Sequence, residues 1–455
     1  MTTLCIMKSV TYPKAIIENN SPSTHSITQW LQQTHTVWFT LFASLSAFGL
    51  YTCVYAFRKT FAAATFENMI FIGIDYKVWL VTFQVCGYAL SKFIGIRLIA
   101  ELKSHSRSTG ILMMTGIAGL SWFVFGLAPA PYNVICLFIN GLALGLVWGM
   151  VFGYLEGRRV TEALGAALSV SFIFPSGLCR SVGGYIIRDW QTSEQWMPFI
   201  ASALFAIPLI GFLALLDKIP PPSIEDEQLR TKRKPMNARE RRKFIFTFLP
   251  GIILFILAYM LLTTFRDFRD NFSAEVWKEL GYGNSPGIYT QTEVPVAICV
   301  LVIMGSIMLV KNNKMALMIN HLIIITGMIL IGVSTMLFDQ HRIDPTLWMI
   351  LTGLGLYLGY VPFNSIFFDR LIAAFKYAGT VGFIMYVADA FGYLGSVGVL
   401  FFKEFSHQKL SWLEFIIKTG YVISVTGTIL IFGSMLYFHF KHERSRKSIA
   451  SENRL

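Results

Sequence analysis

Residues 46–66 read SAFGLYTCVYAFRKTFAAATF. An apolar run meets Arg58 and Lys59, and hydrophobic residues resume beyond them at Phe61, Ala62, Ala63, Ala64 and Phe66. Two cations inside a membrane helix are costly, so they point to a functional site facing a bundle interior or an aqueous cavity. The competing reading is snorkelling, in which long basic side chains near a helix end reach the interface. Residues 37–57 alone are long enough to span a bilayer, so this one helix leaves both readings open.

Composition sets the class. The chain has 455 residues, of which 54% are hydrophobic and 14% charged, with a mean hydropathy of +0.57. A soluble chain carries roughly a quarter charged residues, so this is a polytopic, all-α membrane protein. Its 38 Lys and Arg against 26 Asp and Glu give +12. In a membrane protein that surplus belongs to cytosolic loops, not to nucleic-acid binding. The six cysteines, Cys5, Cys53, Cys86, Cys136, Cys179 and Cys299, show no metal or redox spacing and no disulfide framework. Residues 1–34 are polar, with no apolar core before a cleavage site, and read as a cytosolic extension over 1–35.

Apolar runs near the ~20 residues a bilayer core requires recur at 37–57, 78–96, 111–127, 134–154, 164–187 and 199–216. They resume at 244–265, 288–310, 315–337, 347–368, 379–402 and 415–438. The expected plan is twelve transmembrane helices in two six-helix bundles, 36–216 and 244–440, joined by a cytosolic loop over 217–243. That loop opens on Pro220-Pro221-Pro222, passes Glu225, Asp226 and Glu227, and closes on a basic run from Arg230 to Lys243. The basic run reads as a positive-inside anchor or as a lipid-headgroup contact. Arg97, Lys103 and Arg107, then Arg158 and Arg159, then Lys311 and Lys314, and a basic tail over 441–455 fall on one face. Loops on the other face are neutral or balanced by acids. Both termini are therefore expected in the cytosol, with the protein in the cytoplasmic (inner) membrane.

The halves resemble each other. Ala56-Phe57-Arg58-Lys59 ends the first run, and Thr264-Phe265-Arg266-Asp267 ends the seventh, 208 residues later. Parallel six-helix repeats with a binding site at their interface are a transporter pattern.

Charges inside the apolar runs narrow the function. The first helix carries Arg58 and Lys59, the second Lys92, and the fifth Arg180 after a kink expected at Pro175 and Gly177. The seventh ends in Arg266, Asp267, Arg269 and Asp270; the eighth holds Glu293 and the eleventh Asp389. Lys92 is close enough to Arg97 to snorkel, and Arg266 precedes polar sequence. Arg180 has no end to reach, so it lines a cavity or pairs with a carboxylate. Asp389 is the first candidate partner and Glu293 the second, either as coupling groups or as structural ion pairs. His321 reads as a packing residue. The cations Arg58, Lys59, Lys92, Arg180 and Arg266 outnumber the acids, so a shared cavity would be positive and suit an anion. Guanidinium forks on opposed helices suit phosphate or carboxylate.

Several stretches carry a family resemblance: YAFRKTF (55–61), GYALSKFIG (87–95), NGLALGLVW (140–148), CRSVGG (179–184), TTFRDF (263–268), KYAGT (376–380) and FGYLG (391–395). In this order, over both halves, the chain resembles the major facilitator superfamily. Within it, the motifs look like those of the organophosphate:phosphate antiporters, which include the glycerol-3-phosphate and hexose-phosphate exchangers. The resemblance implies rocker-switch alternating access, with one arginine from each half, Arg58 and Arg266, on the substrate phosphate. It places the family lysines of the first two helices at Lys59 and Lys92. Where well-known members have a histidine in the fifth helix, this chain has Arg180, a permanent charge in place of a titratable one. Asp267 directly after Arg266 is positioned to neutralise it. The cytosolic superfamily signature after the second helix is degenerate here (IRLIAELKSHSRS), and Glu156, Arg158 and Arg159 are candidates for a cytosolic gate.

The reading is a secondary transporter that exchanges a phosphorylated organic anion for phosphate. No GxxxxGK[ST] motif supports ATP-driven transport, and no catalytic constellation supports an enzyme. Two alternatives stay open: a proton-coupled symporter using Glu293 or Asp389, and a ligand sensor of the same fold. The expected partners are a small anionic substrate and membrane lipid, with no nucleic acid, no cofactor, no metal and a monomeric state.

Overall fold

The structure is a computed structural model that describes residues 26–101, 106–156, 158, 160–222, 238–307, 309–365, 367–375, 382–405 and 410–452. Eleven helices among the described residues are long and apolar enough to cross a membrane. Numbered in chain order, spans 1–6 are Thr36–Ala63, Tyr76–Gly95, Arg107–Leu127, Val134–Leu155, Ala163–Arg188 and Met197–Leu216. Spans 7–10 are Arg242–Asn271, Ile288–Ile307, Asn313–Asp339 and Pro345–Phe363, and span 12 is Trp412–Arg444. The helix Gly382–Phe405 supplies span 11. The chain is an integral, multi-pass membrane protein.

Packing repeats between the halves. Span 1 packs on spans 5 and 6, span 2 on span 4, and span 3 on span 4. Span 7 packs on spans 11 and 12, span 8 on span 10, and span 9 on span 10. The correspondence holds for all four pairs. Between the halves, span 2 meets span 11 and span 5 meets span 8, the pattern of two bundles related by a pseudo-twofold axis.

Three boundaries differ from the apolar runs, each for a physical reason. Span 1 continues past the charges: the α-helix runs Thr36–Lys59 and tightens into a 3-10 turn over Thr60–Ala63. Thr60 secures that change by donating its hydroxyl to the Ala56 carbonyl at 2.7 Å. The helix of span 7 runs Ala238–Asn271, so the central loop ends earlier and the RDFRDN segment is helical. Its charged residues are buried in the bundle, where backbone groups must be satisfied internally. Span 5 is broken where the kink was expected, with helices over Thr161–Val170 and Phe174–Arg188 and Pro175 in the first turn of the second. Proline fits there because that N–H has no helical acceptor. A two-stranded hairpin, Ile70–Phe71 with Ile74–Asp75, joins spans 1 and 2. The 223–237 part of the central loop, residues 1–25 of the N-terminal extension and the KYAGT stretch lie outside the described residues.

Spans 2 and 4 touch backbone to backbone. A Cβ on Gly141 would lie 2.1 Å from the Gln84 carbonyl oxygen, and small residues are what permit such approach between membrane helices. Gly141→Val should therefore destabilise the protein by roughly 1–3 kcal/mol, read as a lower melting temperature in detergent. Gly116→Ala, with nothing within 4 Å of the added methyl, should leave it unchanged.

Candidate functional site

The site starts from the last turn of span 1. A helix ending inside a bundle leaves carbonyls short of N–H donors, and here side chains from three neighbouring spans supply them. Trp122 Nε1 and Asn140 Nδ2 donate to the Phe57 carbonyl at 2.6 and 3.1 Å, and Gln84 Nε2 donates to the Arg58 carbonyl at 2.8 Å. Gln84 also donates to Asn140 Oδ1 at 3.0 Å. The backbone that carries Arg58 is thus held by spans 2, 3 and 4 together.

The Arg58 side chain is 8% exposed. Its guanidinium carbon lies 3.7 Å from the centre of the Tyr88 ring, and its buried Nε has no hydrogen-bond partner. Among the described residues no carboxylate lies within 4 Å of it. On the other half, Arg266 is equally buried but already neutralised. Its Nη2 and Nε donate to Asp267 Oδ1 at 2.8 and 3.2 Å, and Nη1 donates to the Tyr360 hydroxyl. Tyr360 stacks on Tyr259 at 5.3 Å, and the Tyr259 hydroxyl donates to Asp389 at 2.6 Å. Tyr88 and Tyr393 meet edge to face at 5.3 Å across the interface, and Tyr393 lies within electrostatic reach of Arg58, Arg266 and Asp389. One arginine from each half therefore faces a shared, tyrosine-lined interior.

Lys92 is half-buried, with its ammonium 5.1 Å from the Tyr88 ring and 5.6 Å from Trp148. It leans along the same aromatic wall as Arg58. Lys59 points elsewhere: it is buried and donates to Asn271 Oδ1 of span 7 at 2.5 Å.

Arg180 belongs to a second cluster, at the end of the bundle where spans 1, 5 and 7 finish. Its Nε and Nη2 donate to the Ser176 carbonyl and hydroxyl at 2.8 and 2.6 Å. Nη2 lies 3.6 Å from Glu293 and 3.7 Å from Asp270. Glu293 in turn accepts from Arg269 Nη1 at 2.6 Å. The expectation of Asp389 as the first partner of Arg180 is corrected. Symmetry-equivalent helices need not touch: span 5 packs on span 8, which delivers Glu293, whereas span 11 packs on span 2. Asp389 has a tyrosine partner and, among the described residues, no cation within 4 Å.

Further bonds between the halves gather at the same end. Lys77 Nζ donates to both oxygens of Glu275 at 2.7 and 2.9 Å, Ser181 accepts from the Thr290 N–H at 3.1 Å, and Lys278 pairs with Glu67. Burial pushes the Glu275 carboxyl above its ordinary range, against the pull of Lys77. Lys77, Glu275 and Asn271 were missed in the sequence because they sit at run boundaries, where charge reads as a helix end. A signal did exist: Asp267, Asp270 and Asn271 are spaced i, i+3, i+4, one face of a helix.

The expected cytosolic gate is only partly described. Arg158 donates to the Pro220 carbonyl, at the start of the central loop, and lies 4.9 Å from the Phe39 ring of span 1. Glu156 is exposed, and Arg159 lies outside the described residues.

Glu293 holds two buried guanidiniums, so removing it takes the 2.6 Å carboxylate from Arg269 and leaves Arg180 only the longer pair with Asp270 at 3.7 Å. Glu293→Ala should cost roughly 3–5 kcal/mol, the range for breaking a buried ion pair. Lys278→Ala, at an exposed pair, should cost under about 1 kcal/mol. Melting temperatures of the two variants in detergent check the contrast.

The architecture is similar to solved transporters. A D-xylose–proton symporter aligns with a TM-score of 0.58 at 16% identity, over 89% of this chain and 97% of that one. The nucleoside transporter NupG gives 0.59 at 15%, over 88% and 98%. A bacterial homologue of the human drug peptide transporters PepT1 and PepT2 gives 0.59 at 13%, over 90% and 100%. At such identities the likeness establishes the fold, the twelve-helix major facilitator fold. No curated protein matches the chain in sequence. A family model does match, over residues 60–441, and its description is a family of unknown function, DUF5690. That match runs from the turn after Arg58 and Lys59 into the last turn of span 12, and the chain accordingly belongs to the DUF5690 family.

Proposed function

We propose that this protein is a secondary transporter that exchanges a phosphorylated organic anion for phosphate by alternating access. The observation that carries the reading is the pair of arginines, one from each half, at a shared tyrosine-lined interior, with no carboxylate within 4 Å of Arg58 among the described residues. A guanidinium without a counter-charge in that position is a ready receptor for an anionic oxygen pair. Lys92, on the same wall, adds positive charge. Arg266 joins the ligand by trading its bonds to Asp267 and Tyr360 for bonds to the anion.

The ionic cluster around Arg180, Glu293, Arg269 and Asp270 then serves as the gate of one face. It joins span 5 to spans 7 and 8, so that face opens only when these pairs break. The positive-inside distribution assigns the opposite face and both termini to the cytosol, in the cytoplasmic membrane. Proton-coupled symport is a second reading, and one observation favours it: Asp389 is partly exposed and has no cation beside it among the described residues. Glu293 fits that role poorly, because neutralising it would take the carboxylate from Arg269 and leave Arg180 with Asp270 alone.

The test is exchange into liposomes of the best-binding phosphate ester. Arg58→Lys keeps the charge but loses the two-pronged donor, at a cost of about 1.5–3 kcal/mol, or roughly one to two decades in affinity. Arg58→Ala should be weaker still. Near-normal exchange by Arg58→Lys would overturn the reading. Accumulation driven by an imposed pH gradient would favour the symporter, and tight binding with no exchange would favour a sensor.

A further inference from the structure

Most buried charges of the interior have an oppositely charged or amide partner: Arg180, Arg266 and Arg269 have carboxylates, and Lys59 has Asn271. Arg58 and Asp389 stand apart. Arg58 rests on the Tyr88 ring with its Nε unpartnered. Asp389 accepts from the Tyr259 hydroxyl, and among the described residues it has no cation within 4 Å. The two come from opposite halves, on spans 1 and 11, and have not closed on each other. Yet both lie within electrostatic reach of Tyr88 and Tyr393, whose rings touch at 5.3 Å.

We propose that the substrate is zwitterionic, an anionic head for Arg58 joined by a short linker to an ammonium group for Asp389. This rests on the phosphate reading above and narrows its substrate class to aminated phosphate esters. The reason is electrostatic. A plain phosphate dianion would satisfy Arg58 and meet Asp389 as a like charge nearby, which a low-dielectric interior penalises. An ammonium removes that repulsion and supplies a cation to Asp389, which has none within 4 Å among the described residues. The surrounding rings of Tyr88, Tyr393, Tyr259 and Tyr360 suit it as well, since aromatic faces attract ammonium groups. The shared tyrosine neighbours place the two charges around one aromatic pair. Asp389 would then be the residue that sets specificity, and Arg58 the residue that sets the requirement for an anion.

The experiment compares ligands that differ only in the amine, on the purified full chain in detergent. Binding of 2-aminoethyl phosphate and ethyl phosphate is measured by competition and thermal stabilisation, beside β-alanine and propionate. We expect 2-aminoethyl phosphate to bind at least tenfold more tightly than ethyl phosphate, and Asp389→Asn to reduce that ratio to within twofold. The wild-type ratio needs no variant, so a poorly folding Asp389→Asn does not weaken the test. Equal binding of the two phosphates to the wild type would overturn the amine and leave the phosphate reading standing. Binding of neither phosphate, with β-alanine still preferred to propionate, would overturn the phosphate head and support the amine. No preference within either pair overturns the proposal.

Discussion

A helix that ends inside a protein interior must find donors for its last carbonyls, and span 1 finds them in three other spans. Trp122, Asn140 and Gln84 converge on Phe57 and Arg58. The consequence is positional. Arg58 cannot follow its own flexible stem to the interface, because the backbone beneath it is held on three sides. A buried polar network of this kind rigidifies when it is fully satisfied. It converts an arginine that composition would allow to snorkel into one that faces the interior. The aromatic wall of Tyr88, and through it Lys92 and Tyr393, is arranged around that fixed point.

The second half solves the same problem differently. Arg266, at the equivalent place, brings its own counter-charge in Asp267 and a hydroxyl in Tyr360. One arginine is compensated, and the other has no carboxylate within 4 Å among the described residues. The asymmetry matters because buried ion pairs contribute little net stability, yet breaking one is costly. A site with both arginines pre-neutralised would hold an anion weakly, and a site with neither neutralised would strain the empty protein. The same logic governs the cluster of Arg180, Asp270, Glu293 and Arg269. It joins the halves at one end through contacts that are strong only while both halves are in register.

Much of this was legible in the sequence. The twelve apolar runs correspond to the twelve long helices, and the expected kink at Pro175 falls where span 5 breaks. Arg58 and Arg266 are legible as charges in matching motifs at the ends of the first and seventh runs. Lys59 was grouped with Arg58, but adjacent helical residues point about 100° apart, and the structure sends it to Asn271 instead. Arg180 was seen as needing a carboxylate, which it has. The carboxylates are Glu293 and Asp270 rather than Asp389, because the pseudo-symmetry relates span 5 to span 11 while the interface pairs span 5 with span 8. Lys77 and Glu275 are not legible as bundle-joining residues, because charged residues beside an apolar run look like ordinary helix ends.

The sequence by itself determined what could be buried. Hydropathy and run length required about twelve spans, and charges within those runs required partners or a cavity, since neither apolar surface in water nor bare charge in lipid is tolerable. These constraints act along the chain and need no knowledge of what lies beside a residue. Only the tertiary structure decided which charge met which. That choice depends on the rotation of each helix and on which spans adjoin, quantities set by packing contacts such as Gly141 against Gln84 and Gly177 against Tyr289. Partner identity is a property of two surfaces in contact, and one chain of letters specifies each surface without stating which other surface it will face.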